Sequence, residues 1–91
     1  MYKIKDYSKN QAKKLGVNIK SSDEKTKYKI DVFDKNNNYI TSIGDIKYLN
    51  QDYPSYIESH GLEYANKRRK LYHLRHQKEG IRGFFSKNIL W

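Results

Sequence analysis

Residues 61–76 concentrate the side chains best suited to chemistry in this sequence: Lys67-Arg68-Arg69-Lys70, then Tyr72-His73-Leu74-Arg75-His76. Cations at this density neutralise phosphates, and interleaved tyrosines stack on unpaired bases. On a helix, at about 100° per residue, Tyr64, Ala65, Leu71 and Tyr72 form one arc with Leu74 at its margin. Arg68 and Arg75 fall in the middle of that arc, one heptad apart. Glu63, Asn66, Lys67, Lys70, His73 and Gln77 take the opposite side.

A guanidinium in a buried arc is costly unless an anion answers it. The sequence therefore predicts that Arg68 and Arg75 are largely buried and form structural ion pairs with Asp31, Asp45, Asp52 or Glu58, or bond to backbone carbonyls. Asp45 is the first choice, because it ends a strand where a sheet meets the helix. On that reading Arg68→Ala lowers the melting temperature far more than Arg69→Ala, whose side chain points away. The cations left for a ligand are Lys67, Arg69, Lys70, His73, Lys78 and Arg82, the predicted nucleic-acid-binding residues. They predict sequence-tolerant binding to the backbone of DNA or RNA.

Other chemistry is poorly represented. No Gly-rich phosphate loop, nucleophile elbow or paired carboxylates at catalytic spacing occur. His60, His73 and His76 are the only histidines, and the predicted metal and catalytic sets are empty, with no cofactor. The competing enzymatic reading is a small metal-dependent nuclease, using Arg75-His76 and a magnesium ion held by Asp31, Asp34 and Asp45. The protein is expected not to be an enzyme.

Composition narrows the class. Ninety-one residues make a single domain with a modest core, and only 36% of them are hydrophobic. Much of that core must come from nine tyrosines, whose hydroxyls need partners. Absence of cysteine excludes disulfides and thiolate metal sites. No apolar run approaches the roughly 20 residues of a membrane span, and the first ten residues lack an apolar signal region. No membrane partner and no secretion are expected. The net charge of +9 is uneven. Residues 1–35 hold ten lysines against five acids, residues 36–66 one lysine against four acids, and residues 67–91 eight Lys/Arg against Glu79 alone.

The elements that must position the basic helix are legible in outline. Residues 1–27 form a basic N-terminal part. Tyr2 and Ile4 alternate with lysines as an edge strand, and Ser8-x-x-Gln11 has the spacing of a capping box for a helix that Gly16 stops. Val17 and Ile19 resume an extended run, and residues 20–27, without an apolar side chain, read as a mobile loop. Residues 28–33 and 39–43 alternate as a hairpin around Asp34-Lys35-Asn36-Asn37-Asn38, with Tyr28, Ile30 and Val32 inward. Asp52-Tyr53-Pro54 begins the helical part, residues 54–91, with Gly61 between a short helix and a long one over 62–78. The apolar run Phe84–Trp91 should dock on the body or on a partner. The predicted fold class is α+β: a small antiparallel sheet around a central β-hairpin, packed by C-terminal helices.

Lys67-Arg68-Arg69-x-Leu71-Tyr72-x-x-Arg75-His76, followed by Gly83-Phe84 and Ile89-Leu90-Trp91, resembles a family of small uncharacterised basic proteins of large DNA viruses and phages. Val32-Phe33 and Ser42-Ile43-Gly44-Asp45 match the same pattern, so the resemblance covers roughly residues 28–91. It implies a viral source and a place in the virion, or in the cytoplasm or nucleus of an infected host cell. The combined expectation is a non-enzymatic basic viral protein that binds nucleic acid, as a virion-associated or packaging component. The alternative is a minor capsid protein acting through protein–protein contacts, with capsid protein as its partner.

Overall fold

The computed structural model describes residues 2–77 and 80–91. Helix α1 (Asp6–Leu15) leads into strands β1 (Asn18–Ser21), β2 (Tyr28–Phe33) and β3 (Tyr39–Asp45). After one 3-10 turn come helices α2 (Tyr53–His60), α3 (Leu62–Arg75) and α4 (Ile81–Phe85), the last running into a π-helical turn, Ser86–Leu90. The strands form one antiparallel sheet in the order β1-β2-β3. The architecture is α+β.

The hairpin forms for the reasons its sequence gives. Ile30 lies opposite Ile43, and Ile30, Val32 and Ile43 are fully buried, with Tyr28 half-buried at the strand's start. In the turn, the Asp34 carboxylate accepts the backbone N–H groups of Asn36 (2.8 Å) and Asn38 (2.9 Å), and Asn37 takes a positive φ of 64°. Bonding to the Asn38 N–H, the largest effect, holds the Asp34 carboxyl below the usual carboxylate range. Gly16 stops α1 in the left-handed conformation, its φ at 73°. Asp52 caps α2 by accepting the Ser55 N–H at 3.1 Å, and the helix begins at Tyr53, one residue before the predicted Pro54 start.

Four local expectations are corrected. Residues 2–5 are not a strand; Tyr2 instead buries its ring and donates its hydroxyl to Asp52 at 2.7 Å. Ser8 does not cap α1, which begins at Asp6. The fully buried Ser8 hydroxyl donates to the Ile89 carbonyl at 2.7 Å, and the Gln11 amide to the Asn88 carbonyl at 3.0 Å. Both polar side chains of the supposed capping box thus hold the C-terminal segment. Residues 20–27 are more ordered than their composition suggests. Lys20 and Ser21 belong to β1, and the buried Ser22 donates to Asp31. Finally, α3 ends at Arg75, with His76 as its C-cap.

The apolar run at 84–91 docks on the body. Ile89, Leu90 and Trp91 are buried in the same core as Ile30, Val32, Ile43 and the rings of Tyr53 and Tyr56. Lys29 is the unexpected member of this interior. Strand alternation assigns it to solvent, yet it is 2% exposed, with its ammonium 3.0 Å from the fully buried Asp52 carboxylate. Asp52 therefore receives Lys29, the Tyr2 hydroxyl and the Ser55 amide together. Burial and the adjacent Asp52 charge push the Tyr2 hydroxyl well above its usual range, so it stays a donor.

Candidate nucleic-acid interface

Helix α3 buries a different face from the one its leucines suggest. Its inward stripe is Ala65, Arg68, Arg69 and Tyr72, then His73 and His76, at helical spacing. Ala65 is fully buried and the other five are half-buried. Tyr64, Leu71 and Leu74 are left exposed, as is Arg75. Amphipathic side chains do the packing. The Arg69 guanidinium lies 5.0 Å from the Tyr53 ring centre and that of Arg68 lies 5.6 Å from Tyr56. Tyr72 is stacked between Trp91, at 4.5 Å, and His76, at 4.2 Å.

The predicted ion pairs of Arg68 and Arg75 with Asp45 do not form among the described residues. Every carboxylate proposed for them is engaged elsewhere. Asp31 accepts the Ser22 and Ser42 hydroxyls, Asp45 holds the Lys47 amide, Asp52 holds Lys29, and Glu58 pairs with Lys5 at 2.8 Å. The contrast drawn between Arg68 and Arg69 lapses with this, since each guanidinium lies over a tyrosine ring and both side chains are half-buried. The same commitments separate the acids of the nuclease reading. Asp34 is used in its turn, and the described residues contain no cluster of His, Cys, Asp or Glu able to hold a metal. No described helix is long and apolar enough to cross a membrane.

The predicted nucleic-acid-binding residues fall in two places. Arg69, Lys70 and His73 meet along one flank of α3, in a shallow groove of about 480 Å³ that also contains Asn66, Leu74 and Gln77. Lys67 is exposed on the same helix. Arg82 lies on the other flank, where its Nε donates to the Ser42 carbonyl at 3.0 Å and its guanidinium covers Tyr28 at 4.9 Å. Lys78 lies outside the described residues. His73 is not on the solvent side: burial, then the nearby Arg69 charge, pushes its imidazole below the ordinary histidine range.

This depression sets a pH dependence. The unfolded chain protonates its histidine at about pH 6.5, before the folded protein protonates His73. The stability His73 contributes is complete above that pH and is lost as pH falls through the lower folded value. NMR titration should therefore place the His73 midpoint below that of a free histidine. A midpoint at or above it would contradict the burial described here.

Sequence reasoning missed the second flank. Arg68, Arg75 and Arg82 line a cleft of about 630 Å³ between α3, the adjacent end of the sheet and the α4 turn. Lys27, Tyr28 and Tyr48 join them from the sheet side. Clustering of the arginines in the last third was the available signal; nothing in the sequence pointed to Lys27 or Tyr48. The three ion pairs found among the described residues involve Lys5, Lys29 and Lys47. Among the described residues, no cation of 67–91 has a carboxylate partner. The chain matches no protein-family model, and no curated protein or solved structure is significantly similar to it.

Proposed function

We propose that this chain is a non-enzymatic protein that binds the backbone of nucleic acid, in the virus particle or infected cell that the sequence resemblance implies. One observation carries the reading. The cations of residues 67–91, with four exposed at Lys67, Lys70, Arg75 and Arg82, are not neutralised by described carboxylates, whereas Lys5, Lys29 and Lys47 earlier in the chain are paired. Surface cations left unpaired on one part of a small domain create a field that attracts polyanions.

The direct test reverses charge where packing is not involved. Lys67 and Lys70 are exposed, whereas Arg69 covers Tyr53, so the variant Lys67→Glu/Lys70→Glu spares the fold. Its affinity for a short oligonucleotide at low salt should fall several-fold by fluorescence anisotropy, with an unchanged melting curve. Unchanged affinity in the folded variant favours protein contact instead. That second reading has its own support in the exposed side chains of Leu62, Leu74, Ile81 and Phe84, which suit an apolar partner such as a capsid protein.

A further inference from the structure

The cleft on the Arg68 flank of α3 has a composition that generic backbone binding does not explain. Lys27, Arg68, Arg75 and Arg82 line it without a carboxylate partner among the described residues. The one acidic side chain among its described lining residues, Asp45, accepts the Lys47 amide at 2.9 Å and lies 3.9 Å from the Lys47 ammonium. Like charges gathered in a concavity repel one another, and an anion entering that concavity relieves the repulsion.

Two of the guanidinium groups are already positioned. Arg82 is fixed by its bond to the Ser42 carbonyl and by the Tyr28 ring beneath it. Arg68 is held over Tyr56, and its Nε is buried with no acceptor. That buried N–H is closed to a ligand, so a phosphate would meet the outer guanidinium N–H groups of the half-buried Arg68 side chain. Guanidinium forks match phosphate geometry, and groups held before binding lose little freedom on binding.

The remaining wall is aromatic. Tyr28 already lies under Arg82 and Trp91 is buried against Tyr72, so the exposed ring of Tyr48 is the surface on which a planar heterocycle can stack. The volume falls within the range of roughly 300–1,000 Å³ found for small-ligand sites. We infer that this cleft binds a nucleotide bearing a terminal phosphate, with the phosphate on Arg68 and Arg82 and the base against Tyr48. The nucleotide is either free or the 5′ end of a single strand. This inference rests on the nucleic-acid reading above and names the part of the ligand that the cleft would take.

Trp91 lines the cleft and is the only tryptophan, so its fluorescence reports occupancy. Adenosine 5′-monophosphate should change the Trp91 emission saturably, and adenosine at the same concentrations should not. Arg68→Gln and Arg82→Gln, each checked for an unchanged fold by circular dichroism, should each weaken binding by about tenfold or more. Tyr48→Ala should weaken it as well, while Lys13→Gln on the exposed end of α1 should have no effect. A 5′-phosphorylated oligonucleotide that displaces the mononucleotide better than its 5′-hydroxyl counterpart identifies a strand end as the ligand. Failure of both oligonucleotides to displace it identifies a free nucleotide. No response to the mononucleotide or the phosphorylated strand, or binding unaltered in both arginine variants, overturns the inference. If oligonucleotide binding persists in that case, the backbone reading stands without it. Mononucleotide binding with no oligonucleotide binding at low salt has the opposite meaning: the cleft is confirmed and the backbone reading fails.

Discussion

Asp52→Ala should be the most damaging single substitution in this protein, lowering the melting temperature by at least about 15 °C. Asp52 is fully buried and is met by the Lys29 ammonium at 3.0 Å, the Tyr2 hydroxyl at 2.7 Å and the Ser55 amide at 3.1 Å. Removing it strands the Lys29 charge inside the protein, where Lys29 is 2% exposed. Breaking one side of such a pair costs about 3–5 kcal/mol, a large share of the 5–15 kcal/mol or so that stabilises a typical small domain. Loss of the α2 cap adds about 1 kcal/mol, not fully additively. The comparison is Glu58→Ala. Glu58 also pairs with a lysine, Lys5, at 2.8 Å, but its side chain is 62% exposed, so the effect should stay within about 1 kcal/mol. Thermal melts of the two variants decide the matter. Equal, small shifts would mean that the buried pair does not hold the fold together.

Gly44→Ala should be destabilising by about 2–5 kcal/mol, from two separable causes. Gly44 has a φ of +76°, where an L residue is strained by about 1–2 kcal/mol. A Cβ there would also stand 2.7 Å from Leu90 Cδ1 and 2.9 Å from Lys29 Cδ. Leu90 is 1% exposed and cannot swing into solvent, so overpacking adds about 1–3 kcal/mol. Gly16→Ala isolates the first cause, since Gly16 has a similar φ of +73° and nothing within 4 Å of its would-be Cβ. Denaturant titration should therefore find Gly44→Ala clearly worse than Gly16→Ala. Combining Gly44→Ala with Leu90→Ala should show a coupling that offsets part of the sum. Equal losses for the two glycine variants would show that the close approach of Leu90 and Lys29 carries no weight.

These two residues also mark how far the sequence could be read. Alternation and the Asp34–Asn38 turn chemistry specify the hairpin, Gly16 specifies the stop of α1, and Asp52-Tyr53-Pro54 specifies the entry to α2. Each is a local rule acting within a few residues. The buried face of α3 was not legible, because leucine periodicity selected an arc whose Tyr64, Leu71 and Leu74 are exposed. Tyrosine, arginine and histidine pack there instead, through rings and alkyl stems that a hydrophobic pattern counts as polar. Ser8 and Lys29 misled for a related reason: distant partners, Ile89 and Asp52, override what their local positions suggest. The arginine-rich end of the chain was visible as a basic segment. Its division into a groove and a cleft depends on which way α3 is turned, and that orientation is set by contacts to Tyr53, Tyr56 and Trp91.

The central claim is that the cations of the last third, which have no carboxylate partner among the described residues, neutralise nucleic-acid phosphates. The salt dependence of affinity for a single-stranded oligonucleotide tests it most directly. If the four exposed cations Lys67, Lys70, Arg75 and Arg82 each engage one phosphate, log K should fall with log salt at about −0.7 per contact. That predicts a loss of about 50-fold between roughly 50 mM and 200 mM salt. An affinity that does not change over this range, or no binding at its lower end, would contradict the claim.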